Sequence, residues 1–451
     1  MYIDDHKIAA LTERESVRFV AERPRSVALL ERARGSMPGG VPMAWMISLY
    51  GHAPFFIESA EGAYITDVDG HRYLDMNLAD TSMGCGYAIP AVGEAVAAQY
   101  ARGSQYLLPT EQSIRVAEKL AKRFGLPAWQ FTLSASSANS EAIRIARALT
   151  GRDRVLLFDG KYHGMLEETC HVPEGQGIQP ELSGLPRASG HATDIVPFND
   201  LTAAEAILTR GDTACVMIEA VPTNVGGVMM PEPGFLSGLF KLTQKLGAIL
   251  VVDETHTHIC AFGGLKRAWD FDCDILVLGK SIAAGIPAGL YGLTAELSAF
   301  LAEALEKGVR GYLPQIAVGG TLFANPMQMT AMEATLDHVL TAEAQEKAAT
   351  LGGLLSDGIE AGAAAHGLPW SAHRLYSRSG YHFAPDLPRN YREADAAANP
   401  ALRDLMRLYM ANRGIWEAIY SASPAVSLAA EQADIDFYLS VFNECLDELT
   451  A

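Results

Sequence analysis

Asp253 and Lys280 are the residues whose types and placement could do the most chemistry in this chain of 451 residues. Asp253 closes the run Ala248-Ile249-Leu250-Val251-Val252, and Lys280 follows Asp274-Ile275-Leu276-Val277-Leu278-Gly279. Both runs are short and apolar without polar alternation, the pattern of strands buried on both faces of a sheet. Ligands bind beyond the strand ends of such sheets. A lysine there loses hydration, so its pKa falls and the neutral amine becomes available for a Schiff base with an aldehyde. An aspartate there can hold a pyridinium nitrogen protonated, and together the two are the anchors that pyridoxal phosphate chemistry requires. The plain alternative for Lys280 is a solvated lysine that happens to follow a strand. Its followers, Ser281-Ile282-Ala283-Ala284-Gly285-Ile286-Pro287-Ala288-Gly289, are almost all small or apolar, which suits close backbone approach to a ligand.

Two further stretches could serve the same chemistry. Leu133-Ser134-Ala135-Ser136-Ser137-Ala138-Asn139 leads into a helix expected over 140–150. Small residues, hydroxyls and a helix N-terminus suit a phosphate, with an ordinary serine cap as the plain alternative. Tyr162-His163-Gly164 follows the apolar run 155–158, where an aromatic ring can stack on a cofactor or merely pack in a loop.

The elements that must position these residues follow from the periodicity. Between about 75 and 330, strand-like runs (155–158, 215–218, 249–252, 275–278) alternate with helical patterns (141–150, 235–245), which predicts a large α/β domain with a mainly parallel sheet. Residues 1–74 and 331–451 predict a smaller α+β domain built from both chain ends. It has a polar helical start up to Met37-Pro38-Gly39-Gly40, a hairpin over 55–73 turning at Asp67-Val68-Asp69-Gly70, a helix over 332–362 and a last helix after Glu431. Two domains are also what the length suggests.

Bulk properties narrow the function classes. With 49% hydrophobic residues the chain can bury a large core, and 35 basic against 53 acidic residues give a net charge of −18, which repels nucleic acid and anionic membranes. The N-terminal residues Met1 to Lys7 carry no apolar signal region, and no stretch approaches the roughly 18 unbroken apolar residues of a spanning helix. Six cysteines are scattered without a C-x-x-C pair. A reduced, cytoplasmic enzyme acting on small molecules, without nucleic acid, membrane or metal, is the expectation.

In chain order, Ser134-Ala135-Ser136, Tyr162-His163-Gly164, Glu219, Asp253-Glu254, Lys280 and Gly320-Thr321-Leu322-Phe323-Ala324-Asn325-Pro326 resemble the motif set of class III aminotransferases, in particular the glutamate-1-semialdehyde aminomutase branch. The resemblance runs from Pro38 to about Asp436. It implies fold type I of the pyridoxal phosphate enzymes, with a seven-stranded type of sheet, and a homodimer whose sites lie at the subunit interface. By the same resemblance Lys280 carries the Schiff base, Asp253 pairs with the pyridine nitrogen, Ala135 and Ser136 bind phosphate beside Ser134, and Tyr162 stacks on the ring. His163 and Glu219 complete the cofactor contacts, and Thr321 reaches the phosphate in the neighbouring subunit. The implied activity is a transaminase, passing an amino group between an amine or amino acid and a keto acid, ketone or aldehyde through pyridoxamine phosphate. An aminomutase or an amino-acid racemase uses the same anchors.

Several departures bear on what is transformed. The family's Ser-Gly-Thr phosphate loop is Ser134-Ala135-Ser136 here, and because alanine tolerates positive φ poorly a slightly shifted cup is expected. The usual Asp-Glu-Val continues instead as Thr255-His256-Thr257-His258. Thr255 is expected against the ring and His256 at the cofactor's phenolic oxygen. On extended chain His256 and His258 would share a face, which leaves a metal-dependent hydrolase as a distant rival, though no third ligand is evident. Met46 falls where the aminomutase carries its carboxylate-binding arginine, so Met43, Trp45 and Met46 suggest an apolar substrate pocket. Arg374, Arg378 and Arg389 remain as candidates to capture a carboxylate.

Overall fold

A computed structural model of the chain describes residues 3–43, 46–47, 55–175, 177–186, 188–309, 313–417 and 424–451. Its centre is a seven-stranded sheet in the order Ala128–Thr132, Gly289–Leu293, Ile275–Leu278, Ile249–Asp253, Thr213–Ile218, Arg154–Phe158, Thr193–Val196. Only Gly289–Leu293 runs antiparallel to its neighbours, so the sheet is mainly parallel, as the alternating pattern predicts. Along the central strands, successive side chains enter opposite cores. Val216, Val252, Leu276 and Leu278 join one cluster with Phe235 and Leu239 of the helix Phe235–Leu246. Met217, Val251, Ile275 and Val277 join another with Ala142, Ile143 and Ala146 of the helix Ala135–Thr150. Burial on both faces is why these runs lack polar alternation.

A further core unites both chain ends, with Ile8, Leu74, Leu355, Ile359, Leu405, Tyr438 and Phe442 packed together. Beside it the segment 55–75 forms three antiparallel strands, Ile57–Glu61, Tyr64–Asp67 and Arg72–Asp75, one more than the expected hairpin. The helix expected over 332–362 is two, Pro326–His338 and Ala342–Ala365, because Thr341 caps a new start by accepting from the Ala344 N–H at 3.1 Å. The last helix, Gln432–Thr450, starts where expected, after a capping box of Glu431 and Asp434. All six cysteines are free and buried. Among the described residues no helix is long and apolar enough to cross a membrane.

Four consecutive non-glycine residues, Leu78, Ala79, Asp80 and Thr81, have φ between 47° and 63°. A left-handed turn of L-residues costs about 1–2 kcal/mol per residue, so neighbours must hold it. Asp75 anchors its start, accepting from the N–H groups of Asn77 at 2.9 Å and Leu78 at 2.8 Å. Within the turn the Thr81 N–H donates to Asn77 O at 3.0 Å and the Met83 N–H to Leu78 O at 2.9 Å.

Candidate active site

The parallel register sets Asp253 opposite Val277 of the neighbouring strand, so Asp253 and Lys280 leave the sheet at the same edge. Asp253 is buried and fully engaged by donors. Its Oδ2 accepts from Asn139 Nδ2 at 2.7 Å and lies 3.0 Å from His163 Nδ1, while Oδ1 accepts from the Thr255 N–H at 3.0 Å. Burial alone would raise its pKa, but the hydrogen bond and charge of His163, with Thr255 and Asn139, overcome that and hold it at about 2. A fixed anion therefore stands at the strand end.

Lys280 itself has φ +50°. Its Nζ donates to Asp80 O at 2.8 Å and to Asp80 Oδ2 at 2.6 Å, and lies 2.5 Å from His256 Nε2. Burial lowers the lysine pKa, and Asp80 opposes the shift. The left-handed turn is stitched to the same segment, with the Ser281 hydroxyl donating to Thr81 O and the Cys85 thiol to Ser281 O at 3.4 Å. His256 lies at 2.8 Å from Thr223 Oγ1 through Nδ1 and 3.4 Å from Glu219 Oε2. Burial first, then the charges of Lys280 and Arg378, push its pKa well down, so the ring is neutral. An ammonium has no lone pair to offer, so beside a charged Lys280 the ring's Nε2 accepts and its proton sits on Nδ1. Glu219, directly after the strand Thr213–Ile218, accepts from the Tyr162 N–H at 2.8 Å, and burial raises its pKa to about 8.

The helix expected from 140 begins at Ala135, because Ser134 is its N-cap and accepts from the Ser137 N–H at 3.2 Å. Ala135 and Ser136 are thus first-turn residues whose N–H groups have no partner within the helix. Ala135 is helical and outside the positive-φ set, so the glycine-to-alanine change does not require the shifted cup expected from sequence. Gly164, at φ +87°, closes over this turn, since a Cβ there would stand 2.0 Å from Ser136 Oγ. Gly279 lies so close to Ala135 that an added Cβ would meet its Cβ at 3.0 Å and Thr255 Cγ2 at 3.3 Å. Phosphate-loop candidates, Thr255 and Lys280 thereby share one wall. Tyr162 is 43% exposed at its rim.

The family model of class III aminotransferases ("Aminotransferase class-III") matches residues 47–371. The chain belongs to that family. Glutamate-1-semialdehyde 2,1-aminomutase of Heliobacterium modesticaldum is 33% identical over 442 residues, covering 95% of this chain and 98% of that protein. Among solved structures, a lysine-to-alanine variant of a glutamate-1-semialdehyde-aminomutase from Pseudomonas aeruginosa PAO1 in complex with PMP superposes with TM-score 0.95 at 35% identity, covering 100% of both chains. A β-phenylalanine aminotransferase from Variovorax paradoxus superposes with TM-score 0.86 at 27% identity, over 98% of this chain and 97% of that one.

This class III enzyme therefore has fold type I and uses pyridoxal 5'-phosphate. The residues present fit that cofactor. A carboxylate is kept charged at the strand end, two N–H groups are unspent at a helix N-terminus, and the buried Thr255 Oγ1 and His163 Nε2 have no protein partner among the described residues.

The remaining candidates separate clearly. The stretch 254–259 is a turn and not the extended chain on which His256 and His258 would share a face. His258 Nε2 lies 3.0 Å from Gly279 O, and among the described residues no group of three or more His, Cys, Asp or Glu side chains could hold the metal of a hydrolase. Glu254, part of the motif, is structural, accepting from the N–H groups of Leu265 at 2.7 Å and Lys266 at 2.6 Å. Thr321 is exposed, its carbonyl accepting from Gln105 Nε2 at 2.6 Å. Met43 is exposed and Met46 partly buried, while Trp45 lies outside the described residues. Arg374 is paired with Asp357 and Glu360, and Arg389 with Glu393, all at the surface. Arg378 alone of the three is buried, at 2% exposure.

Asp80, Asn139 and Thr223 escaped the sequence reading. No glycine marks the left-handed turn that delivers Asp80. Asn139 was legible only as part of a serine-rich stretch, although its place four residues into the helix behind Ser134 could have singled it out.

Proposed function

We propose that the enzyme is a transaminase that passes an amino group between an amine or amino acid and a carbonyl acceptor. The observation that carries the reading is the side-by-side exit of Asp253, held anionic, and Lys280, held by burial toward its neutral form. Bound here, pyridoxal phosphate supplies an aldehyde that captures the amine and a ring that accepts the electrons left when a proton departs. Asp253 holds the proton on the pyridine nitrogen, oriented by His163 and Asn139. Lys280 is the amine that would hold the cofactor, and its free Nζ would serve as the general base and acid that moves the substrate proton. His256, its Nδ1 at Thr223 and its Nε2 beside Lys280, would hydrogen-bond the cofactor's phenolic oxygen. Ser134, Ala135 and Ser136 would receive the phosphate at the helix N-terminus, Tyr162 and Thr255 would hold the ring, and Glu219 positions Tyr162 through its backbone. Exposed Thr321 fits a homodimer in which each chain completes its partner's phosphate site, and light scattering should return the mass of two chains.

A second reading, an aminomutase, is favoured by the relatives of 33–35% identity that carry that name. Met46 at the position of the aminomutase arginine argues for the first. The deciding measurement incubates holoenzyme with one amino compound and no second carbonyl compound. A transaminase stops after converting its bound cofactor to the amine form and resumes when pyruvate or 2-oxoglutarate is added. Continued turnover of glutamate-1-semialdehyde alone would establish the aminomutase instead. Lys280→Ala should abolish turnover while leaving the far-ultraviolet spectrum intact, and activity near wild type in that variant would overturn both readings.

A further inference from the structure

The loop that leads to Thr321 is held from the helix Ala135–Thr150. Residues 317–320 form neither helix nor strand, Gly319 stands at φ +100°, and most of the stretch is exposed, so side chains from elsewhere must set where it runs. Glu141 Oε1 accepts from the Gly319 N–H at 2.5 Å, and Arg144 Nη1 donates to Ala317 O at 2.5 Å. The Glu141 carboxyl is buried, and its other oxygen accepts from the Tyr291 hydroxyl at 2.9 Å, which is itself buried on the strand Gly289–Leu293. Burying a carboxyl is costly, and a donor on each oxygen offsets that cost. Past the loop, Gln328 Nε2 donates to Thr132 O at 2.6 Å, just ahead of Ser134. The loop is thus fastened at both ends to the strand and helix that flank the phosphate candidates.

Thr321 itself looks outward. Gln105 Nε2 holds its carbonyl, and Gln105 Oε1 accepts from the N–H groups of Tyr106 at 2.7 Å and Leu107 at 3.0 Å. Tyr106, Leu107, Leu108 and Leu322 are exposed large hydrophobic residues on these same segments, Leu107 at 69% and Leu108 at 73%. An apolar patch of this kind fits cover by a second copy of the chain.

We propose that Glu141 is a positioning residue for the cofactor site of the partner subunit. It fixes the backbone at Gly319, and with it the place from which Thr321, two residues on, meets the partner's phosphate. The proposal rests on the homodimer reading and adds the side chain that aligns the shared part. Because the N-terminus of the same helix serves the chain's own cofactor, each Ala135–Thr150 helix supports two sites.

Losing Glu141 alone would strand the buried Tyr291 hydroxyl. The test variant is therefore Glu141→Leu with Tyr291→Phe, which removes both partners and frees only the N–H of exposed Gly319. Heterodimers are assembled from two differently tagged chains, one of them also carrying Lys280→Ala, so that only the chain keeping Lys280 gives the absorbance of lysine-bound cofactor. The apo heterodimer is titrated with pyridoxal phosphate. With the double change on the Lys280→Ala chain, the dissociation constant at the intact-lysine site should rise about tenfold, the order of one hydrogen bond to a charged group. With the double change on the chain that keeps Lys280, the constant should stay where it is without the change. A role confined to Glu141's own helix gives the reverse order. Glu141→Gln, which keeps an acceptor for Gly319, should restore affinity in the first arrangement. A rise in the second arrangement, equal constants in the two, or no rescue by glutamine overturns the proposal. A wild-type mass of one chain by light scattering overturns the homodimer reading, and the proposal with it.

Discussion

Asp80 and burial pull Lys280 in opposite directions. Burial favours the neutral amine, and the Asp80 carboxylate at 2.6 Å favours the charged one. Removing Asp80's charge should therefore let the lysine pKa fall further. In Asp80→Asn, the pH at which apoenzyme captures pyridoxal phosphate at half its maximal rate should move to lower pH by roughly one unit, the lower end of the effect of a close opposite charge. Stopped-flow absorbance from pH 5 to 10 reads it, and a midpoint that stays put or moves alkaline contradicts the pairing. Asp253 has no such freedom, because three donors fix its charge. That difference explains what could be read from sequence at this scale. Asp253 and Lys280 announce themselves by ending apolar runs, whereas Asp80 sits on a turn with no glycine and reaches its partner across 200 residues of chain.

Elements decide how the site closes. The sheet strands were legible because burial on both faces leaves an uninterrupted apolar signature, and the order of the motifs supplied the rest. Helix starts were not, since Ser134 reads equally as loop or cap, and only the hydrogen bond to the Ser137 N–H fixes Ala135 as the first turn. The contact of that turn with Gly164 is sensitive to a single methyl group. Gly164→Ala would bring Cβ to 2.0 Å from Ser136 Oγ on a backbone at φ +87°, so the two loops must part. The dissociation constant for pyridoxal phosphate, measured by fluorescence titration of apoenzyme, should rise at least about tenfold, equivalent to roughly 1.4 kcal/mol. An unchanged constant would mean that the loop 162–164 does not bear on the cofactor.

Across the whole molecule, buried titratable groups shape the response to pH, and two carboxyls stand out. Burial raises Glu254 from the ordinary 4.5 to about 7 and Glu219 to about 8. A folded-state pKa above the unfolded one means that the folded chain holds the proton more tightly. The resulting stability is complete below the unfolded value and is lost as pH rises through the folded one. The Tm difference between wild-type apoenzyme and Glu254→Gln should accordingly shift in favour of the variant as pH rises from 5 to 9, because only wild type loses the contribution of a protonated Glu254. A difference that is constant over the interval would contradict the buried, protonated state.

The left-handed turn Leu78–Thr81 has one more consequence. Its conformation is intrinsically unfavourable, and beyond Asp75 at its start its outside support is the bonds to Lys280 and Ser281, so it should loosen when the two segments come apart. The amides of Thr81 and Met83, bonded inside it, then become a built-in gauge of assembly. Their deuterium uptake should rise before that of the central strands when the enzyme is gently heated, reporting site disassembly while the fold is still intact.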